Sequence, residues 1–281
     1  MSLESVTIGF VGAGNMAEAI FRGLLKAEAL PAAQIIASDR HPDRLESLAS
    51  SYSIQTTTTN LDAVKDSEVV VLAVKPQILS SVMQEIGPHI RPDALVISVA
   101  AGYTMAQLNT HLPEGVALCR SMPNMPALVG AGATAYVLAG SVSDVHRAQA
   151  AEIFSAVGLG IEVMEESLLD AVTGLSGSGP AYVFMIIEAL SDAGVKVGLS
   201  RRQAQQLSAQ TVLGSAHLLL ESGEHPGVLK DKVTSPGGTA IAGLHTLEDG
   251  GLRTTLINAV SSATARCKEL AAIADKALSD Q

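Results

Sequence analysis

The feature that most constrains the fold of this chain is a glycine turn near its start. Val6–Val11 has the apolar pattern of a β-strand, and Met16–Lys26 has the periodicity of a helix. Small residues at positions 12, 14 and 17 let the chain turn tightly, let a pyrophosphate approach the backbone, and let helix and strand pack closely. This context predicts a dinucleotide-binding fold. The motif itself predicts cofactor contacts at Gly12, Gly14 and Ala17.

Short β-branched runs alternate with helical patterns up to about residue 164. Glu68–Val74 is almost continuously apolar, as expected for a strand that is buried on both faces. The alternation predicts a mostly parallel sheet with helices on both faces. The other predicted strands are Gln34–Ser38, Leu95–Val99, Ala117–Arg120, Ala133–Leu138 and Gly160–Val163. The other predicted helices are Pro42–Ser50, Ile78–Ile86 and Val142–Val157.

After Glu165 the sequence has helical periodicity throughout. The helices predicted in this part are Ser167–Leu175, Ala181–Val195, Arg201–Glu221, Thr239–Glu248 and Leu252–Ala277. The breaks predicted between them are Ser176–Pro180, Gly198–Ser200, Gly223–Gly227 and Gly250–Gly251. We therefore predict an α/β Rossmann domain at residues 1–164, followed by an all-α domain at residues 165–281. Long apolar helices in the second domain favour a role in dimerisation.

The composition limits the partners of the chain. Hydrophobic residues make up 47% and charged residues 16%, which indicates a large core and part of the surface covered in a homo-oligomer. The net charge of −10 argues against nucleic acid. No apolar run is long enough for a membrane span, and the N-terminus lacks a signal peptide pattern. Cys119 and Cys267 lack the spacing of a metal site, so we expect no metal, reduced thiols and a cytoplasmic location.

Three further segments end predicted strands at the expected cofactor edge. Asp39 favours NAD by bonding the ribose 2′-hydroxyl, whereas Arg40 favours the 2′-phosphate of NADP. Since both are present, the residues leave both cofactors open, and we expect NADPH with NADH as the alternative. Lys75 is a candidate general acid or, by preference, part of the cofactor wall. The remaining predicted contacts are Ala73, Val74, Pro76, Ala100 and Ala101.

A second glycine junction occurs in the helical half. Ser235-Pro236-Gly237-Gly238-Thr239 leads directly into a helical pattern, so several backbone N–H groups are left free at the positive end of a helix dipole. Such a junction suits a carboxylate or a phosphate. Because the first turn already accounts for the cofactor pyrophosphate, we expect this one to bind an anionic substrate. Ser176 and Ser178 either line the substrate pocket or bond the backbone at a helix start.

Taken together, these segments resemble pyrroline-5-carboxylate reductases over nearly the whole chain. The resemblance is carried by the first glycine turn and by Ala73–Gln77, Arg120–Pro126, Gly174–Tyr182, Ser235–Thr239, Gly243–Glu248 and Leu256–Val260. It implies reduction of 1-pyrroline-5-carboxylate to L-proline by NAD(P)H. It also implies a helical dimer, often arranged as a ring of dimers such as a decamer.

The resemblance also implies site residues. The substrate carboxylate would be bound by Ser235, Gly237, Gly238, Thr239 and Ala240. The implied cofactor contacts also include Ala13, Asn15, Met16 and Asn60. Thr239 and Ser178 are the catalytic candidates. Two positions depart from the family pattern. Ala240 stands where a hydroxyl is common, so Thr239 or a water must bond the ring nitrogen, and Met125 replaces a threonine.

Two other functions compete with this one. A β-hydroxyacid dehydrogenase needs a catalytic lysine early in its long interdomain helix, and the corresponding stretch Gly179–Phe184 has none. A non-catalytic NAD(P)-binding regulator would be expected to have lost the second glycine junction, which this chain retains. Both alternatives predict that NADPH is not oxidised when pyrroline-5-carboxylate is added.

Overall fold

The structure is a computed structural model that describes the backbone of residues 3–279 and the side chains of residues 3–273. Eight strands form one sheet. They are β1 (Ile8–Val11), β2 (Ile35–Ser38), β3 (Gln55–Thr57), β4 (Val69–Leu72), β5 (Leu95–Ser98), β6 (Ala117–Met122), β7 (Gly132–Ala139) and β8 (Gly158–Glu162). Their order is β3-β2-β1-β4-β5-β6-β7-β8.

The sheet is mostly parallel, as predicted. Only β6 and β7 pair antiparallel, and every other neighbouring pair among the described strands is parallel. From β1 the strand order runs outward to β2 and β3 on one side and, starting with β4, to β8 on the other. The reversal between β1 and β4 is the position at which doubly wound sheets bind their ligands, outside the carboxyl ends of the strands.

The described helices follow the predicted periodicity where they are long. They are α1 (Asn15–Lys26), α2 (Pro42–Tyr52), α3 (Asn60–Val64), α4 (Pro76–Ile86), α5 (Met105–Asn109), α6 (Asp144–Ser155), α7 (Leu168–Val172), α8 (Gly179–Lys196), α9 (Arg201–Ser222), α10 (Pro226–Lys232), α11 (Thr239–Asp249) and α12 (Leu252–Ser279). The sequence patterns missed β3, α3, α5 and α10, because elements of three to seven residues show too few periods to be recognised.

One predicted break was wrong, and another is shorter than predicted. At Ser176–Pro180 the backbone stays helical, since a π-helical turn over Thr173–Gly177 leads through Ser178 into α8. At Gly223–Gly227 the break is shorter than predicted, because α10 already begins at Pro226. Proline at the first position of a helix lacks only an N–H that would have no helical partner there.

The chain is divided into two compact units. The first comprises the chain up to Ser178 together with the part from Ser262 onward, and the second is Gly179–Ser261. The predicted boundary after residue 164 was drawn where the sequence pattern changes, and it stays a prediction.

The core of the first unit lies on both faces of the sheet. Successive residues of β4 alternate between two apolar clusters, with Val69 and Val71 in one and Val70 and Leu72 in the other. On one face the buried side of α1 meets β1, where the rings of Phe10 and Phe21 pack edge to face with centroids 5.6 Å apart. Such contacts fix α1, and with it the glycine turn that precedes it.

The second unit buries much less. Its helices α8 and α9 pack closely at Gly194 and Ala204. A Cβ added at Gly194 would lie only 2.8 Å from the Cβ of Ala204. Ser191 and Ala204 are the buried side chains among its described residues. Large apolar side chains such as Phe184, Met185 and Leu220 are exposed in the single chain.

Candidate functional site

The first glycine turn joins the ends of three strands. Gly12 follows β1 with a φ of +92°, a conformation that favours glycine. A Cβ at this position would lie 2.9 Å from the carbonyl carbon and oxygen of Ala73, so no side chain fits. The N–H of Gly12 donates to the carbonyl of Ser38 at 3.0 Å, and the N–H of Ala73 donates to that of Val11 at 2.8 Å. The predicted contacts after β1, β2 and β4 therefore lie at one edge of the sheet.

The turn leaves room for a phosphate. Gly14 is the N-cap of α1, and no side chain caps this helix. A Cβ at Gly14 would meet no heavy atom within 4 Å, so the space above the backbone is open. Free N–H groups and the positive end of the α1 dipole face this space. The residues present therefore fit the pyrophosphate of a dinucleotide.

The carboxylate of Asp39 already accepts hydrogen bonds within the protein. Its Oδ2 accepts the N–H of Ala13 at 3.1 Å, and its Oδ1 accepts the N–H of His41 at 3.0 Å and the His41 ring Nδ1 at 2.7 Å. Partial burial raises the pKa of Asp39, but the hydrogen bonds from His41 and Ala13 outweigh it and leave the pKa below its ordinary value. Arg40, beside it, is exposed.

A network that the sequence analysis missed braces the same turn. Arg44 Nε donates to the carbonyl of Ala13 at 3.0 Å, and the guanidinium also pairs with Glu18 on α1. Tyr52 completes the network by donating its hydroxyl to Glu18 Oε1 at 2.7 Å. Burial raises the pKa of Glu18, while the bonds from Arg44 and Tyr52 outweigh it and lower the pKa overall. No local pattern shows such pairs, because their members lie 26 and 34 residues apart.

Asn60 lies at the same edge of the sheet. Its Oδ1 accepts the hydroxyl of Ser38 at 2.9 Å, and its Nδ2 donates to Glu85 Oε2 at 3.2 Å. Ser38 is fully buried and directly precedes Asp39, so the structure brings Asn60 next to the predicted ribose position. The role of Asn60 as a cofactor contact stays a prediction.

A cavity of about 630 Å³ lies within the first unit. It is lined by three predicted site residues, Pro76, Ala101 and Ser178. Tyr103, Arg266 and Cys267 also line it and were not predicted. Lys75 is exposed and directly precedes α4. Burial, with the bond to Asp170, raises the pKa of Cys267 despite an opposing contact from Thr173, so its thiol is poorly suited to act as a thiolate nucleophile.

The segment Arg120–Asn124 is tied to the chain that leads to Ser178. Arg120 is buried, and its Nη1 donates to Glu166 Oε1 at 2.6 Å. The same carboxylate oxygen accepts the N–H of Met105 at 2.7 Å. Asn124 is also buried, and its Nδ2 donates to the carbonyl of Ser176 at 3.0 Å. Met125, the departure from the family pattern, has an exposed side chain.

The second glycine turn belongs to the second unit. The N–H of Gly238 donates to the carbonyl of Ser235 at 3.0 Å, and Gly237 has a φ of +68°. A Cβ at Gly238 would lie 2.2 Å from Ser235 Oγ. The helix α11 then begins at Thr239 without a side-chain cap, which leaves its first N–H groups for an anion. Ser235, Gly237 and Thr239 are exposed, while Gly238 and Ala240 are half-buried.

Metal-binding clusters and helices able to cross a membrane are absent from the described residues. Within that part of the chain, no group of three or more His, Cys, Asp or Glu side chains is placed to hold a metal ion. No described helix combines the length and apolar character needed to cross a bilayer.

A doubly wound sheet with a glycine turn at its switch point is a fold typical of NAD(P)-dependent oxidoreductases. Residues 7–102 match the family described as NADP oxidoreductase, coenzyme F420-dependent. Residues 166–270 match the family described as pyrroline-5-carboxylate reductase dimerisation.

Relatives and solved structures match almost the full length. Pyrroline-5-carboxylate reductase of Methanosarcina acetivorans is 46% identical, over 95% of this chain and 99% of its own. A structure of the Coxiella burnetii enzyme has a TM-score of 0.90 at 38% identity, covering 95% of this chain and 99% of that one. The Plasmodium falciparum enzyme, solved with NADP bound, has a TM-score of 0.83 at 31% identity, covering 95% and 99%. The chain belongs to the pyrroline-5-carboxylate reductase family.

This membership confirms the resemblance, the fold class and the oxidoreductase class predicted from the sequence. The dimerisation domain supports a homo-oligomer. It also accounts for the exposed apolar helices of the second unit, because such surfaces are typical of oligomer interfaces.

Proposed function

We propose that this chain reduces the C=N bond of 1-pyrroline-5-carboxylate to form L-proline, the last step of proline biosynthesis. The observation that carries the proposal is a pair of uncapped helix starts on glycine turns, one in each unit, in a member of this family. One turn suits the cofactor pyrophosphate and the other suits a substrate carboxylate.

The first unit would hold the cofactor. When bound, the reduced nicotinamide dinucleotide supplies the hydride. The residues proposed to contact its phosphates are those from Gly12 to Ala17, and those proposed for its ribose are Asp39, Arg40 and Asn60. Ala73–Pro76, with Ala100 and Ala101, would form the wall beside the nicotinamide, since Pro76 and Ala101 line the cavity.

The second turn would hold the substrate. Its N–H groups at Gly238, Thr239 and Ala240 lie at a helix start, while Ser235 and Thr239 add exposed hydroxyls. The N–H of Gly238 already donates to the carbonyl of Ser235, so the N–H groups of Thr239 and Ala240 would be the backbone donors to the substrate. A protonated cyclic imine is already electrophilic, so positioning and electrostatics would suffice. We assign Thr239 the contact to the ring nitrogen, because Ala240 has no hydroxyl, and Ser178 a contact in the cavity.

NADPH is the cofactor we propose. Both carboxylate oxygens of Asp39 already accept hydrogen bonds within the protein, so Asp39 is less available to accept one from a ribose 2′-hydroxyl. Arg40 is exposed next to it and carries the charge that a 2′-phosphate needs. Steady-state kinetics with both cofactors test this choice, and a higher kcat/KM with NADH would contradict it.

The assembly and location form part of the same proposal. The exposed apolar side chains of the second unit support a dimer as the basic form, and we propose a ring of such dimers. Light scattering of the purified chain tests the ring. Cys119 and Cys267 are unpaired, which accords with a cytoplasmic enzyme.

The activity is tested by following NADPH oxidation when pyrroline-5-carboxylate is added. In the same assay Thr239→Val should lower kcat/KM about tenfold, the effect of one lost hydrogen bond. Thr246→Val is the matched control, because Thr246 is exposed on the same helix and its hydroxyl lies 3.4 Å from the Ala242 carbonyl. Absence of NADPH oxidation by the unmodified chain would refute the proposed function. Unchanged kinetics of Thr239→Val would refute only the role of its hydroxyl.

A further inference from the structure

An unusual helical turn places Ser178 at the cavity wall. The backbone of Thr173–Gly177 is π-helical, and the N–H of Ser178 donates to the carbonyl of Thr173, five residues earlier, at 2.8 Å. Such turns are rare and frequently occur at functional sites. A Cβ at Gly177 would lie 2.6 Å from Met122 Cε, so this turn packs against the end of β6.

The carbonyl of Ser176 lacks the regular helical donor. In a regular helix the carbonyl of Ser176 would accept the N–H of residue 180, but residue 180 is proline, which has none. Asn124 supplies the missing donor, because its Nδ2 lies 3.0 Å from the Ser176 oxygen. The Met-Pro-Asn segment and the Ser-Gly-Ser-Gly-Pro segment, 52 residues apart, therefore meet in one hydrogen bond.

The orientation of the Asn124 amide is fixed at both ends. Its Oδ1 accepts the N–H of Ala133 at 2.9 Å, so the Nδ2 group must face Ser176. Asn124 is only 8% exposed, and water has little access to replace either bond. At the other end of the same stretch of chain, the buried Arg120 holds Glu166. Residues 166–176 are thus anchored to the chain around β6 at both ends.

We propose that Asn124 is a positioning residue for the reduction, because it holds the Ser176 carbonyl and thereby keeps Ser178 at the wall of the cavity that Pro76 and Ala101 also line. The inference rests on the proposed function, in which Ser178 contacts the reacting groups. Asn124 itself need not touch substrate or cofactor.

Asn124→Asp is the test variant. A carboxylate in this place still accepts the Ala133 N–H, but it cannot donate to the Ser176 carbonyl. We expect kcat to fall about tenfold at neutral pH while the affinity for NADPH stays unchanged. Protonation of the new carboxyl restores a donor, so the loss should shrink as the pH is lowered. Asn109→Asp, an exposed position at the end of α5, is the matched control and should show neither effect.

The outcomes separate the inference from the proposed function. A pH-independent loss, or no loss, in Asn124→Asp would overturn the positioning role. If Asn124→Asp does not fold, Asn124→Ala combined with Pro180→Ala provides a second test, since replacing the proline restores a helical N–H for the Ser176 carbonyl. Recovery of activity in that double variant relative to Asn124→Ala alone supports the inference, and equal activity refutes it.

A second readout does not depend on turnover. The N–H of Ser178 should exchange with solvent faster in Asn124→Asp than in the unmodified chain, because its bond to Thr173 is no longer held. If the unmodified chain fails to reduce pyrroline-5-carboxylate, the proposed function fails, while this exchange measurement still decides whether Asn124 holds the turn. Unchanged exchange would count against it.

Discussion

The two glycine turns of this chain look alike in sequence but are held by different forces. Each turn precedes a helix without a side-chain cap. Gly12 is enclosed by the backbone after β4, and a side chain there would overlap the carbonyl of Ala73. Gly237 is exposed, with open space around its Cα and only its φ of +68° to favour glycine.

The comparison separates glycines that the fold itself requires from those proposed to contact a ligand. In the first turn, Gly12 is needed by the fold itself, whereas Gly14 faces open space that the protein does not fill. In the second turn, Gly238 is the glycine whose added Cβ would clash, chiefly with the flexible hydroxyl of Ser235 at 2.2 Å and less severely with the Ser235 carbonyl oxygen at 3.2 Å. Substitutions at these positions should therefore affect folding, cofactor binding and substrate binding to different extents.

Gly12→Ala should have the largest effect. The left-handed conformation alone costs about 1–2 kcal/mol for alanine, and the contact with the Ala73 backbone adds to it. We expect a lower melting temperature and loss of NADPH binding, measured by thermal unfolding and by calorimetric titration. A variant with unchanged stability would mean that the turn is not fixed by β4.

Gly237→Ala should weaken substrate binding without affecting cofactor binding. Its conformational cost is about 1–2 kcal/mol, and the open surroundings add no clash. The KM for pyrroline-5-carboxylate should rise about tenfold, while calorimetric titration should give the same NADPH affinity. Gly223→Ala is the control, because Gly223 has a similar φ of +63° at an exposed helix end of the same unit. A similar rise of KM in the control would show that loss of stability, and not the turn, is responsible.

Gly14→Ala should have a smaller effect than Gly237→Ala, and it should affect cofactor binding rather than substrate binding. Since the added methyl group meets no protein atom, the melting temperature should be preserved. The methyl group would occupy space over the start of α1, so the KM for NADPH should rise severalfold while the KM for the imine stays the same. Unchanged cofactor kinetics would argue that the pyrophosphate does not lie over this residue.

The smallest effect concerns acid stability of the first turn. The pKa values of Glu18 and Asp39 are lowered in the fold, so their ionised forms contribute stability that is complete above the ordinary carboxyl pKa of about 4. That contribution is lost as the pH falls through the lowered values. Asp39→Asn should therefore flatten the dependence of the melting temperature on pH below about 4. An unchanged slope would assign the acid sensitivity to other groups.

Much of the fold followed from periodicity alone. The buried face of α1 repeats at Ala17, Ile20, Phe21 and Leu24, so a helix on this sheet was expected from its sequence. The short helix α5 gave no such pattern, although a capping box between Thr104 and Gln107 marks its start. A search for capping pairs would have found it.

The candidate site was only partly predictable. Ser178 and Pro76 were predicted from separate motifs, and the cavity brings them together. Tyr103 and Arg266 line the same cavity without any motif that marks them. The roles assigned to these residues stay predictions until the variants are measured.

The sequence by itself determined the local features of this protein. Apolar periodicity specified the long helices and the central strands, and glycine at positions 12 and 237 specified backbone turns that other residues rarely adopt. Only the tertiary structure decided which polar groups satisfy one another. The absence of an N–H at Pro180 is visible in the sequence, but its compensation by Asn124 is not. A buried carbonyl must be paired, yet its partner can come from any part of the chain that the fold brings near.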